Sequence, residues 1–131
     1  MTQLLFIYGT LMPGLRLEAE MHGARLIGAA QVPGRLVDVG RYPGLLLGEG
    51  QVTGEVYEVD DAHLARLDAV EAMVPGDRAA SQYWREEVTV VSGPLQGRSV
   101  QTYVYNRPVE GCTPIPHGDY RRYIREVGRE S

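Results

Sequence analysis

Glycine and proline interrupt this chain every few residues across its first half, and that punctuation limits what it can fold into. Gly28, Pro33-Gly34, Gly40 and Pro43-Gly44 break the region into short apolar pieces, Arg25–Ala30, Gln31–Val39 and Gly44–Gly48. Pieces of that length, closed by turn formers, read as short strands joined by turns. Gln51–Val59 alternates, with Val52, Gly54, Val56 and Glu58 on one face and Thr53, Glu55, Tyr57 and Val59 on the other. That period of two predicts a strand. Tyr83–Val91, with Trp84, Val88 and Val90 inward, and Ser99–Asn106 read as antiparallel partners across the Gly93–Gly97 turn. Two helices are expected, one capped by Asp60-Asp61 and running to about Met73 and one from Asp119 through Val127, and Leu15–Met21 could form a short third. Tyr120, Tyr123, Ile124 and Val127 form the packing side of the last. Arg107–Gly118, with its prolines, is expected to be an irregular loop. The sum is an α+β chain: one domain, a small mixed and mainly antiparallel β-barrel or curled sheet, two or three helices around it.

Composition excludes several classes. Hydrophobic residues make up 44% of the 131, enough for one packed core. Net charge is −4, and the 13 basic residues, all arginine, are scattered, so no nucleic-acid partner is expected. Arg121, Arg122 and Arg125 read as a solvated helix face. Cys112 is the only cysteine, so no intrachain disulfide can form, and with His117 five positions on it reads as a surface thiol. The first residues lack a charged leader and no apolar run approaches membrane-spanning length, which implies a soluble, cytoplasmic chain with no membrane partner. His22, His63 and His117 lie too far apart in sequence to suggest a metal set, and His63 falls on the exposed side of its helix.

Leu4–Leu11 carries the first functional signal. Leu4-Leu5-Phe6-Ile7 reads as a buried strand that runs into Tyr8-Gly9-Thr10-Leu11 and then Met12-Pro13-Gly14. Past the strand end, the amides of Gly9, Thr10 and Leu11 have no evident ladder partner. Such groups either find acceptors in the fold, as in any tight turn, or hold a ligand oxygen.

The second signal is a carboxylate out of place. Leu64, Leu67 and Glu71 follow the helical spacing of three and four, so they share one stripe. The leucines are natural core contacts, and Glu71 therefore points at the core or its rim. Burial penalises the charged form and raises the pKa toward the range useful for proton transfer. Alternatively, fraying at the helix end turns Glu71 to solvent, or Arg78 or Arg85 pairs with it. Tyr83, Tyr103 and Tyr105 read as strand aromatics, and Arg85 as a group able to orient a carboxylate.

Together these pieces resemble the γ-glutamylcyclotransferase-like family of small proteins. The likeness rests on Tyr8-Gly9-Thr10-Leu11 and on Leu67-Asp68-Ala69-Val70-Glu71. It is extended by Gly34-Arg35-Leu36-Val37-Asp38, by Gly54-Glu55-Val56-Tyr57-Glu58-Val59, by Tyr83-Trp84-Arg85 and by Gly118-Asp119-Tyr120-Arg121. It implies a cofactor-free enzyme of acyltransferase or lyase type that releases 5-oxoproline from a γ-glutamyl amine or γ-glutamyl amino acid. Glu71 takes the acid/base role by resemblance. Tyr8, Gly9, Thr10 and Leu11 line the substrate pocket, Tyr105 is a further candidate for a hydroxyl contact, and no metal is needed. The expected partner is a small γ-glutamyl substrate, with the chain a monomer or weak homodimer. A second reading is a non-catalytic module binding a small carboxylate or amino-acid derivative on the same fold; a third is an interaction protein without a ligand. Two departures stand out. Ala72 and Met73 follow the glutamate where the family often has glycine and an aromatic, and Val74–Gln82 looks long and mobile.

Overall fold

The computed structural model describes residues 1–128. Its frame is a six-stranded sheet. The strands are β1 (Thr2–Ile7), β2 (Arg25–Asp38), β3 (Pro43–Asp60), β4 (Tyr83–Thr89), β5 (Ser99–Tyr105) and β6 (Thr113–Ile115), in the order β4-β5-β1-β3-β2-β6. Two helices flank it, α1 (Asp61–Val70) and α2 (Tyr120–Val127). Every pairing is antiparallel except β1 with β5. Beyond β4, Val91 donates to Gln31 of β2 at 2.8 Å, and Gln31 returns a bond to Ser92 at 3.3 Å. This bridge draws β4's continuation over β2, so the sheet curls into a half-barrel.

The apolar run of β1 explains its central place. Leu5, Phe6 and Ile7 are all buried, because β1 lies between two strands and is covered on both faces. α1 packs across β1 and β3 through Leu64 and Leu67. Its N-terminus is fixed by Asp60, whose Oδ1 accepts from the His63 amide at 2.7 Å. No helix among the described residues is long and apolar enough to cross a membrane.

The strands are longer than the punctuation implied. β2 runs 14 residues and β3 runs 18, and only the Val39–Tyr42 turn divides them. Gly28 and Pro33-Gly34 are not chain reversals but register shifts within the β2–β3 ladder. Glycine and proline inside a strand mark bulges and bends as readily as turns. Those bulges give the long hairpin its curvature.

Other expectations need correction. Leu15–Met21 forms no α-helix; successive turns lead to a 3-10 turn at Glu18–Met21. The Arg107–Gly118 loop contains β6, which pairs Ile115 with Leu36 at the sheet edge. His63 is not exposed: its ring is buried, and Nε2 lies 2.7 Å from the Glu20 carbonyl, joining α1 to the 3-10 turn. Val127 is half exposed, so α2 packs through Tyr120, Ile124 and, in part, Tyr123. On β4, Trp84 and Val88 are only partly buried, whereas Tyr83 on the other face is buried. The stretch expected to be mobile is folded on itself. Ser81 is fully buried, its Oγ accepts from Val74 at 2.8 Å and donates to Asp77 at 2.9 Å, and Gln82 donates to the Ala72 carbonyl at 3.0 Å.

Candidate active site

β1 delivers Tyr8-Gly9-Thr10-Leu11 to the middle of the sheet, and α1 ends directly over that point. Between them lies a cavity of about 280 Å³. Tyr8 through Leu11 form one wall, and Glu71 with Val70 another. Tyr42, Pro43, Tyr83 and Tyr103 supply much of the remainder, with Arg16 and Gln82 also on the lining.

The loop folds back immediately. Met12 donates to the Gly9 carbonyl at 3.0 Å, and Leu17 donates to the Thr10 carbonyl at 2.8 Å. These bonds use the loop's carbonyls. The amides of Gly9, Thr10 and Leu11 are paired with no acceptor among the described residues. Gly9 is dictated by space: a Cβ there stands 2.7 Å from Pro43 Cγ and 3.0 Å from its Cδ. Only hydrogen fits where the two segments meet.

Glu71 sits at the C-cap of α1. Its helix ends in a Schellman arrangement. Ala72 donates to Ala69 at 3.0 Å and Met73 to Asp68 at 2.9 Å. That motif requires a left-handed residue just past the cap, and Ala72 has φ of 54°, the only non-glycine residue with positive φ among those described. This accounts for the departure from glycine: the geometry is kept at the expense of strain. Left-handed φ costs an L-residue roughly 1–2 kcal/mol. Ala72→Gly is expected to raise stability by about 1 kcal/mol, part of the gain being offset by greater freedom of the unfolded chain. Denaturant melting checks this, and an unchanged or lowered midpoint contradicts the strain argument.

The Glu71 carboxyl has no ion-pair or hydrogen-bond partner among the described residues. Arg78 pairs with Glu86 at 3.1 Å, and Arg85 pairs with Asp68 at 2.9 Å. Burial alone pushes Glu71 up to about 7. No nearby cation offsets that rise.

Asp68, one turn earlier on α1, is the anchor that sequence reasoning passed over. It takes a two-pronged contact from Arg85, Nε to Oδ1 at 2.9 Å and Nη2 to Oδ2 at 3.0 Å. The Tyr103 hydroxyl donates to Oδ1 at 2.6 Å. This ties the last turn of α1 to β4 and β5, and so aims Glu71 at the cavity. Its place in Leu67-Asp68-Ala69-Val70-Glu71, with an arginine at an inward strand position, was the available signal.

The tyrosines form the walls through occupied hydroxyls. Tyr8 donates to the Tyr103 carbonyl at 2.6 Å and accepts from the Leu45 amide at 3.3 Å. Tyr83 donates to the Pro43 carbonyl at 2.7 Å. Burial raises all three phenols, Tyr8, Tyr83 and Tyr103, well above their usual range, so they stay neutral. Tyr105 lies outside the lining. Its ring packs edge-on against Tyr83 with centroids 5.3 Å apart and backs the wall from behind. The fold thus brings Tyr8, Gly9, Thr10, Leu11 and Glu71 to one cavity and leaves Tyr105 behind it. Tyr42, Gln82 and Arg16 were not anticipated. Gln82 donates through its amide to the Tyr42 hydroxyl. Arg16 sits in a loop whose course depends on tertiary bonds, which no local pattern reveals.

Comparison with known proteins places the chain in a family. Residues 5–122 match the family model described as "Gamma-glutamyl cyclotransferase, AIG2-like". The chain is 35% identical over 117 residues to the γ-glutamylcyclotransferase family protein YtfP of Escherichia coli K12, covering 88% of this chain and 94% of that one. It is 42% identical over 107 residues to the γ-L-glutamyl-butirosin B γ-glutamyl cyclotransferase of Niallia circulans, covering 79% and 67%. In three dimensions it is similar to the crystal structure of an AIG2-like protein of Mus musculus, with TM-score 0.71, 28% identity and coverage of 91% and 88%. A family match across nearly the whole sequence, with the curled mixed sheet to accompany it, means that the chain belongs to the AIG2-like γ-glutamylcyclotransferase family.

Proposed function

We propose that this protein cyclises γ-glutamyl compounds, releasing 5-oxoproline and the attached amine or amino acid. The observation that carries the reading is an unpartnered carboxyl, Glu71, sharing one cavity with the unpartnered amides of Gly9, Thr10 and Leu11. The family membership and the likeness to a relative named for a γ-glutamyl substrate support it.

The chemistry follows from what each group can do. The substrate's α-amine attacks its own γ-carbonyl, a carbon–nitrogen bond forms, and the bond to the departing amine breaks. Nucleophile and electrophile are tethered, so the cavity need only hold the chain bent and handle protons. Near neutral pH much of the α-amine is protonated and inert. Glu71, with its pKa raised to about 7, accepts that proton and returns one to the departing nitrogen. The loop amides bind the glutamyl carboxylate or the carbonyl oxygen; in the second case they also stabilise the charge that develops there. The Tyr8, Tyr83 and Tyr103 hydroxyls are engaged with backbone or Asp68 and serve as fixed walls.

The direct test is 5-oxoproline release from purified protein offered γ-glutamyl amino acids, γ-glutamyl amines and ε-(γ-glutamyl)-lysine. Turnover of at least one is expected. Absence of product from all of them, with the protein folded, overturns the reading.

A further inference from the structure

Resting on that cyclisation reading, we propose that Arg16 is a specificity residue that binds an acidic group on the departing amine, so that γ-glutamyl amino acids are taken in preference to uncharged γ-glutamyl amines.

Arg16 differs from the other arginines in its position. Arg25, Arg78, Arg85, Arg121 and Arg122 each pair with a carboxylate, and Arg35, Arg41, Arg66, Arg98 and Arg125, unpaired among the described residues, lie away from the cavity lining. Among the described residues Arg16 makes no ion pair and no hydrogen bond, yet it is exposed at a cavity wall. It is the sole arginine on that lining. Its placement is not accidental to a loose loop. The Leu17–Thr10 backbone bond at 2.8 Å folds the segment back beside the unpaired amides, and Arg121 donates to the Pro13 carbonyl at 2.9 Å to hold the bend.

The charge inventory of the cavity then becomes specific. One carboxyl, one guanidinium and one row of free amides line it. Arg16 and Glu71 share the lining and make no ion pair with each other. A γ-glutamyl amino acid carries one ammonium and two carboxylates. The ammonium proton goes to Glu71, one anionic oxygen to the amides, and the second carboxylate is matched by the free guanidinium. A γ-glutamyl amine leaves Arg16 without a partner. Size limits the attachment, and charge chooses between attachments of equal size. About 280 Å³ lies at the small end for ligand sites and suits a glutamyl group with a compact attachment. The far end of the attachment reaches the exposed rim, where a guanidinium binds a carboxylate through two parallel N–H bonds.

The test compares two substrates of nearly equal shape, γ-glutamyl-alanine and γ-glutamyl-isopropylamine, by kcat/KM. Wild type is expected to favour the acid by roughly ten- to a hundredfold, the range of a hydrogen-bonded charged contact. In R16Q the ratio falls toward one, through KM rather than kcat, and R16K retains part of it. The wild-type preference also shrinks as salt rises, because the contact is at the rim. Equal rates for the two substrates in wild type overturn the proposal and leave the cyclisation reading intact. So does an equal slowing of both in R16Q, which places Arg16 on the glutamyl head. Product from neither substrate or from any other γ-glutamyl compound removes the cyclisation reading and this one with it.

Discussion

Glu71→Gln is expected to lower 5-oxoproline release by about 10²–10⁴-fold while the fold is retained. Glutamine has the same shape and fills the same place against the cavity, but it neither accepts nor returns a proton. In wild type kcat/KM is expected to rise with pH through about 7, as Glu71 ionises, and the mutant's residual rate lacks that limb. Stability moves in the opposite direction. The folded-state pKa of about 7 lies above the ordinary 4.5, so between these values the folded chain holds a proton that the unfolded chain has lost. The Glu71 contribution to wild-type stability therefore falls as pH rises from 4.5 to about 7 and is flat above. Glutamine has no such loss. At pH 8 the mutant is expected to be more stable than wild type, by up to ~3 kcal/mol, and the advantage disappears below about pH 4.5. Melting at the two pH values beside an activity assay reads both effects. Turnover near the wild-type rate, or a mutant no more stable at pH 8, contradicts the half-buried, unpaired carboxyl.

Gly9→Val is expected to abolish ligand binding and to cost about 1–3 kcal/mol of stability. The first added carbon already stands 2.7 Å from Pro43 Cγ, and two more methyl groups follow it. Either Pro43 retreats, disturbing the carbonyl that holds the Tyr83 hydroxyl at 2.7 Å, or the loop shifts and the amide row is lost. Since a folding defect by itself lowers binding, Gly9→Ala combined with Pro43→Ala separates the two causes. Removing the proline ring relieves the contact, so the pair should be more stable than the sum of the single changes. Calorimetric titration with 5-oxoproline measures the binding. Affinity unchanged in Gly9→Val shows that the amides of this loop hold no part of the ligand.

Much of this architecture is readable residue by residue. The run Leu4–Ile7 announces a buried strand, and β1 is one of the two central strands. Asp60 and Asp119 announce helix starts, and both side chains cap as expected. Helical spacing sets Glu71 on the leucine face of α1. These are local matters of period, cap and turn chemistry, decided within about one helical turn or a few strand residues.

Where local cues carry two meanings, reading by residue fails. Pro33-Gly34 makes a turn or a bulge with equal ease, and only pairing with β3 makes it a bulge. His63 lies on a helix flank that looks free, until the 3-10 turn places the Glu20 carbonyl against it. Tyr105 has the same character as Tyr103 in sequence. They sit on one strand, two residues apart, yet Tyr103 reaches the cavity and Tyr105 supports its wall.

From its own order of residues, the chain determined the strand that ends in a glycine loop, the helix that ends in an acid, and the capping that starts each helix. The fold alone decided that loop and acid share one small cavity, that Arg85 and Tyr103 hold Asp68 and leave Glu71 without a partner, and that Arg16 arrives at the rim. The reason is physical. Period and capping act over a few bonds of chain, whereas burial, charge pairing and the absence of a partner depend on what distant segments bring alongside.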